Sequence, residues 1–298
     1  MAALLRAVMK QSRSNRSFGT VTRQALRTAG WHVAAWRKSF THRKHFATIK
    51  TYCMFVGYPH SGHSLVGSLL DAHRHAVIAH ELDVLRHVRG RLGRNQVFSL
   101  ILGSHRSTTG RWGGGYDLTV PNQWQGKFDE LLVIGDKKGG ASALLLDRSP
   151  ELLDRLRETV ELPLRVIHVT RNPYDNIASY RMRINARPRR NPMTLREATD
   201  DFFARYEAVS RVQSRLDPQE MMSVRLEDLS ESTTENLRAL CTFVGLDSPE
   251  DYLQDCSAIV FPSARRTRDQ ENWDPELIEE VEKRMAALDF LGGYTFND

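Results

Sequence analysis

Cysteines are few, long apolar runs are missing, and no acidic residue precedes Asp71; each shortage removes a class of protein. The three cysteines, Cys53, Cys241 and Cys256, are an odd count without paired spacing. Such a set forms neither a disulfide framework nor a thiolate metal site, so buried thiols in a reducing, cytoplasmic setting are expected. No stretch approaches the roughly 20 consecutive apolar residues that a membrane-spanning helix needs, and the longest candidates are short, such as Tyr52 to Val56. His73, His75, His87, His105 and His168 form neither H-E-x-x-H nor a paired Cys/His pattern, so no metal site is expected. The G-x-S-x-G elbow of a serine hydrolase is missing as well.

The lack of early acids explains the net charge. Met1 to Lys50 holds 11 of the 42 Lys and Arg residues and none of the 36 acids, so the formal +6 belongs to this stretch and the remainder is mildly acidic. A duplex-binding face needs positive charge on the folded body, so a nucleic-acid partner is not expected. Residues 1–50 read as a basic extension. Their Arg, Ser and Thr content fits an organellar transit peptide, a membrane-surface segment or a disordered tail equally. The apolar positions Leu4, Leu5, Val8, Val21, Leu26, Trp31, Val33 and Trp36 keep no single helical face for long.

With 41% hydrophobic and 26% charged residues, the rest of the 298-residue chain has the composition of one folded domain, residues 51–298. Short apolar runs at Tyr52–Val56, Ala76–Ala79, Leu131–Gly135, Leu164–Thr170 and Met222–Arg225 read as strands. Helical stripes lie between and after them: Leu65, Val66, Leu69 and Leu70, then Ile278, Val281, Met285 and Leu288 behind the start signal Asp274-Pro275. Alternating strands and helices predict an α/β three-layer sandwich with a central, mostly parallel sheet. In such sheets ligands bind beyond the carboxyl ends of the strands. Val88 to Lys127 shows no sustained periodicity and reads as substrate-facing loops.

Two strand ends carry the chemistry. The first run leads into Gly57-Tyr-Pro59-His60-Ser61-Gly62-His63-Ser64 and an apolar helix, the layout in which backbone N–H groups cradle phosphate. Nucleotide triphosphatases place Lys where this chain has His63, so the cation for β- and γ-phosphates is absent. An ordinary strand-to-helix turn would use the same glycines. The fourth run ends in Thr170-Arg171-Asn172-Pro173, with Pro173 at a helix start and Ser179 two turns along. Arg171 and Ser179 thus offer a cation and a neutral donor to a compact dianion. An Arg171–Asp175 pair and a back-bonded Ser179 would be the plain structural alternative.

Together these segments resemble the 5′-phosphosulfate loop and the R-x-P-x-D-x-x-x-S motif of sulfotransferases that use 3′-phosphoadenosine 5′-phosphosulfate (PAPS). The likeness extends through Leu226-Glu227-Asp228-Leu229, Phe243 to Leu246, and Arg265-Arg266-Thr267-Arg268 with Trp273. It implies a P-loop-like fold, PAPS as sulfuryl donor, and transfer to a hydroxyl or amine of a small-molecule or glycan acceptor without a metal. By this resemblance Pro59, His60, Ser61, Gly62, His63 and Ser64 would hold the 5′-phosphosulfate, Arg171 and Ser179 the 3′-phosphate, and Arg265, Arg266 and Arg268 would close over the nucleotide. Family loops read P-[KR]-S-G-T-[ST], whereas histidines stand here at 60 and 63.

Lys137 resembles the [ED]-K lysine presented to the sulfuryl group, and Glu81, in Ala79-His80-Glu81, resembles the base of the tyrosine- and carbohydrate-modifying branches. The expected catalytic set is therefore Glu81, Lys137 and His60, with His80 as second candidate for the base. Two other readings stay open: a P-loop kinase lacking its lysine, with Asp136 in a Walker-B-like role, and a catalytically degenerate binding protein.

Overall fold

The computed structural model describes residues 43–105, 117–188 and 191–298. Readings that concern residues 1–42, the transit, surface or tail segment, lie outside them. The body reaches back beyond Thr51, because Phe46 and Ile49 are buried in the core and Lys50 N–H donates to Leu132 O.

Strands β1 (Thr51–Val56), β2 (Ala76–His80), β3 (Val133–Lys137), β4 (Leu164–Thr170) and β5 (Met221–Arg225) form one sheet in the order β2-β3-β1-β4-β5. Every pairing is parallel. The buried strands are rich in Val, Ile and Phe, as expected where helices cover both faces. Along β1, Tyr52, Met54 and Val56 point into one core and Cys53 and Phe55 into the other, the period-2 alternation of a strand.

On the Cys53 face lie α1 (His63–Asp71), α9 (Thr233–Val244) and α10 (Glu250–Ser257), anchored by residues such as Leu69, Leu240 and Leu253. The Tyr52 face carries α2 (Val84–Arg89), α3 (Arg94–His105), α4 (Gly139–Arg148), α5 (Glu151–Val160), α6 (Pro173–Asn185), α7 (Leu195–Gln213) and α11 (Pro275–Met285). The short α8 (Leu226–Glu231) follows β5 directly. The result is the three-layer α/β sandwich that the alternating runs imply. β1 lies at the switch point: the chain leaves it for β2 on one side and later returns to β4 on the other, and in open α/β sheets ligands bind beyond the carboxyl ends of the strands at such a point.

Two segments depart from the reading by runs. Part of the stretch read as loops is helical, because Val97, Phe98, Ile101 and Leu102 form a buried stripe in α3; residues 106–116 lie outside the described set. Strand β3 begins and ends two residues later than its apolar run, so Asp136 and Lys137 belong to the strand and are buried. Their polar groups are satisfied there by partners from the next turn.

The three cysteines are buried and form no disulfide. Among the described residues no helix is long and apolar enough to cross a membrane, and no group of three His, Cys, Asp or Glu side chains could hold a metal ion.

Candidate active site

The loop after β1 is shaped by two glycines. Gly62 has φ +98°, and a Cβ there would meet Leu226 Cδ1 at 2.7 Å; a Cβ on Gly57, at φ +146°, would meet His63 Nε2 at 2.3 Å. The loop is therefore pressed between α8 and an imidazole, which only bare backbone permits. Gly62 is the N-cap of α1 and gives no side-chain cap, so the first N–H groups of that helix have no intrahelical partner. Together with the helix dipole they form a potential anion cradle.

Side chains of the loop divide into inward and outward groups. His63 Nε2 is 3.0 Å from Val56 O; a carbonyl only accepts, so Nε2 carries the proton. Nδ1 is then the acceptor for the Ser61 hydroxyl at 2.7 Å. Burial holds His63 down at about 4, so the ring is neutral and pins the loop to β1. Ser61 and His63 can thus offer an anion their backbone N–H groups, while their side chains face the interior. Pro59 and His60 are half-buried, and His60 takes a left-handed φ of 64°. Its ring lies 6.5 Å from that of Tyr180 on α6. Burial, then the guanidinium groups of Arg183, Arg171 and Arg187, hold His60 at about 4, so it supplies no standing positive charge.

The cation at the loop comes from β3. Lys137 Nζ donates to Ser64 Oγ at 3.1 Å and to Glu81 Oε1 at 3.2 Å. Lys138 Nζ donates to Glu81 Oε2 at 3.1 Å. Burial pushes the Glu81 carboxyl upward, but Lys137 and Lys138 outweigh it and hold the group at about 2. Lys137 itself is lowered by burial, opposed by Glu81. Ser64, Glu81 and Lys137 therefore form one hydrogen-bonded set. His80 ends β2 in register with Lys137. Asp136 is turned away from the site, its two oxygens accepting from Leu82 N–H and Val84 N–H at 2.9 Å each.

Arg171 joins the loop to a distant segment. Its Nη1 donates to His60 O at 3.1 Å, and its Nη2 donates to Arg265 O and, at 3.1 Å, to Thr267 Oγ1. Nε is buried without a hydrogen-bond partner. Asp175 is not its partner, since that carboxylate pairs with Arg268 at 2.9 Å, both side chains being almost fully buried. Ser179 is half-buried, and no hydrogen bond occupies its hydroxyl among the described residues.

The three later arginines separate. Arg265 is exposed beside Arg171, whereas Arg266 binds Asp269 and the carbonyls of Asn297 and Asp298. Arg268 is spent on Asp175 and the carbonyls of Thr295, Phe296 and Asp298. The guanidinium groups of Arg266 and Arg268 are thus engaged with partners in the chain, and Arg268 lies near enough to Arg171 to act on it electrostatically.

Reading by motif missed Arg183 and Arg187, which are exposed. The available signal was spacing for Arg183, one turn beyond Ser179 on α6; Arg187 lies past the end of that helix. Glu227 was seen only as part of a segment. Its Oε1 accepts from Asn172 N–H at 2.9 Å and its Oε2 from Tyr294 hydroxyl at 3.0 Å, which fixes the start of α6 behind Arg171.

A parallel sheet with a glycine-shaped loop at its switch point, a buried lysine of β3 reaching that loop and an arginine beyond the end of β4 make an arrangement suited to anionic ligands. The model of the Sulfotransferase family matches residues 53–250, two thirds of the chain, and the chain belongs to that family. It is similar to the sulfotransferase domain from the curacin biosynthetic pathway, with 15% identity, 81% of this chain and 98% of that one covered, and a TM-score of 0.50. It is also similar to sulfotransferase STF1 from Mycobacterium tuberculosis H37Rv, with 13% identity, 96% and 92% covered, and a TM-score of 0.50. These likenesses show the shared fold. No curated protein sequence matches the chain.

Proposed function

We propose that this sulfotransferase-family chain takes its sulfuryl group from PAPS and passes it to a hydroxyl or amine of a small-molecule or glycan acceptor. The observation that carries the reading is the meeting of three strand ends around one loop: α1 starts uncapped after β1, Lys137 of β3 reaches Ser64, and Arg171, just after β4, holds the His60 carbonyl. The residues suit the donor's anionic groups, because Arg171 Nε is buried and unpartnered and the α1 N–H groups lack helical acceptors. Ser61, Gly62, His63 and Ser64 would hold the 5′-phosphosulfate, mainly through backbone, and Arg171, Ser179 and exposed Arg265 the 3′-phosphate.

PAPS supplies an activated sulfuryl group whose leaving oxygen must gain negative charge. Lys137 provides a preorganised cation where that charge grows. Glu81 takes the acceptor's proton. Paired with two ammonium groups it is a weak base; drawing Lys137 toward an anion leaves it with Lys138 alone and raises its basicity. His60, neutral and beside the loop, donates a hydrogen bond and not a charge.

A kinase-like role would need Asp136 available to a metal, yet both its oxygens already accept backbone N–H groups. The degenerate-binding reading is favoured by the neutral His60 and His63, and it predicts donor binding without turnover. Calorimetric titration of the full chain with adenosine 3′,5′-bisphosphate, with ATP–Mg²⁺ as control, tests the proposal. Bisphosphate binding that is absent for ATP, followed by transfer from PAPS in an acceptor screen, supports it; no bisphosphate binding overturns it.

A further inference from the structure

We propose that Asp136 is a positioning residue for sulfuryl transfer, the group that fixes the turn presenting Glu81 to Lys137. The proposal rests on the roles given above to those two residues. The turn between β2 and α2 holds two non-glycine residues in the left-handed region, Glu81 at φ 58° and Asp83 at φ 65°. Such conformations persist only where neighbours impose them. The local device is missing, because Asp83 is the N-cap of α2 and makes no side-chain cap.

The cap comes from the adjacent strand instead. Asp136 Oδ1 accepts from Leu82 N–H and Oδ2 from Val84 N–H, each at 2.9 Å, gripping the turn on both sides of Asp83. The next residue on β3 completes the hold: Lys137 O accepts from Glu81 N–H at 3.0 Å, and Lys137 Nζ donates to the Glu81 carboxylate at 3.2 Å. Two consecutive residues thus fix the backbone of the turn and the side chain it carries. Asp136 is 4% exposed, and its oxygens are used inward. It acts on the reaction through Glu81 and not by touching a ligand.

The arrangement has a pH dependence. Burial raises the Asp136 carboxyl to about 6; nearby Asp83 adds to this, while the N–H groups of Val84 and Leu82 oppose it. The titratable groups facing it are Tyr52 from β1, Asp83 from the turn and Lys137 on its own strand. Protonation converts one carboxylate oxygen into a hydroxyl, a weaker acceptor for an N–H than the charged oxygen it replaces. One of the turn's two side-chain anchors then weakens as pH falls through about 6. Glu81, held at about 2, stays ionised through that range, so its own titration does not produce a step near 6.

The test is NMR titration of the full chain labelled at Leu and Val amides and at Glu side-chain carboxyls. The Leu82 and Val84 amides are expected to shift with a midpoint near 6, and the Glu81 carboxyl signal to change over the same step. Asp136→Asn, with a single acceptor oxygen, is expected to show the loosened turn at every pH, and its Glu81 carboxyl to titrate well above about 2. Turn amides without a step, or a Glu81 titration unmoved in the variant, overturn the proposal. If Asp136→Asn does not fold, the wild-type titration decides alone. Failure of the wild-type protein to bind adenosine 3′,5′-bisphosphate would remove the donor assignment without altering this titration, so the two ideas fail separately.

Discussion

Lys137 Nζ donates to Glu81 Oε1 at 3.2 Å, and the pair is asymmetric: the lysine side chain is 3% exposed and the glutamate side chain 50%. The buried ammonium is shared between Ser64 on the loop and the exposed carboxylate. An anion at the loop would compete for the ammonium, and the carboxylate would be released toward solvent and acceptor. Structure and chemistry are coupled here through one hydrogen bond.

Lys137→Met tests that coupling. The variant keeps the buried stem and removes the charge, leaving Lys138 as the remaining cation on Glu81. Removal of one preorganised stabilising group typically costs about 10²–10³ in turnover. Sulfuryl transfer from PAPS to phenolic and sugar acceptors is expected to fall by about that factor, and the Glu81 carboxyl to titrate above its value of about 2. Turnover within a fewfold of wild type would remove Lys137 from the mechanism.

Arg171→Ala separates binding from folding. The guanidinium donates to His60 O, Arg265 O and Thr267 Oγ1, so its loss leaves one buried and two partly buried acceptors without this donor. Stranding such groups costs about 1–3 kcal/mol, to be measured by chemical unfolding. Bisphosphate affinity is expected to fall by at least about tenfold, equivalent to about 1.4 kcal/mol. A variant that loses stability but binds normally would make Arg171 a brace between the loop and the 265–267 segment.

His63 gives a pH signature in stability. Its pKa is lowered by burial from 6.5 to about 4, so the unfolded chain binds more protons between those values. The stabilisation is full above about 6.5 and is lost as pH falls toward about 4. At about 1.4 kcal/mol per pKa unit the contribution is roughly 3 kcal/mol, and buried His168, also lowered by burial, adds in the same direction. Urea melts at neutral and mildly acidic pH are expected to show a smaller acid loss in His63→Gln than in wild type. Equal losses would place the acid sensitivity elsewhere.

Much of this was legible in the chain because the signals were local. Apolar runs marked all five strands, and the glycines around Ser61 and the Arg171–Pro173 step marked the two ends where anions would bind. What stayed hidden was tertiary. The pattern of Leu131–Gly135 did not show that β3 continues through Asp136 and Lys137, since two charged residues end an apolar run in sequence but not a strand whose turn supplies partners. Nor did spelling separate Arg265 from Arg268, whose neighbours arrive from α6 and from residues 295–298. The inward turn of His63 depends on Val56, seven residues earlier, and on a glycine at 57 that leaves room for the ring.

The division among the arginines leads to a paired prediction. Arg268 is 3% exposed and pairs with Asp175 at 2% while also donating to the carbonyls of Thr295, Phe296 and Asp298. Arg268→Ala strands a buried carboxylate, and breaking such a pair costs about 3–5 kcal/mol; a large drop in unfolding midpoint is expected. Arg265 is exposed, and the bond to Arg171 uses its backbone carbonyl, which alanine retains. Arg265→Ala is therefore expected to change stability by no more than about 0.5 kcal/mol while weakening bisphosphate binding, more strongly at low salt because the lost group is a solvent-exposed cation. Chemical unfolding and calorimetry on the two variants check both halves. If Arg265→Ala binds as wild type and a folded Arg268→Ala does not, the nucleotide is held by the buried arginine and the assignment of roles within the cluster is reversed.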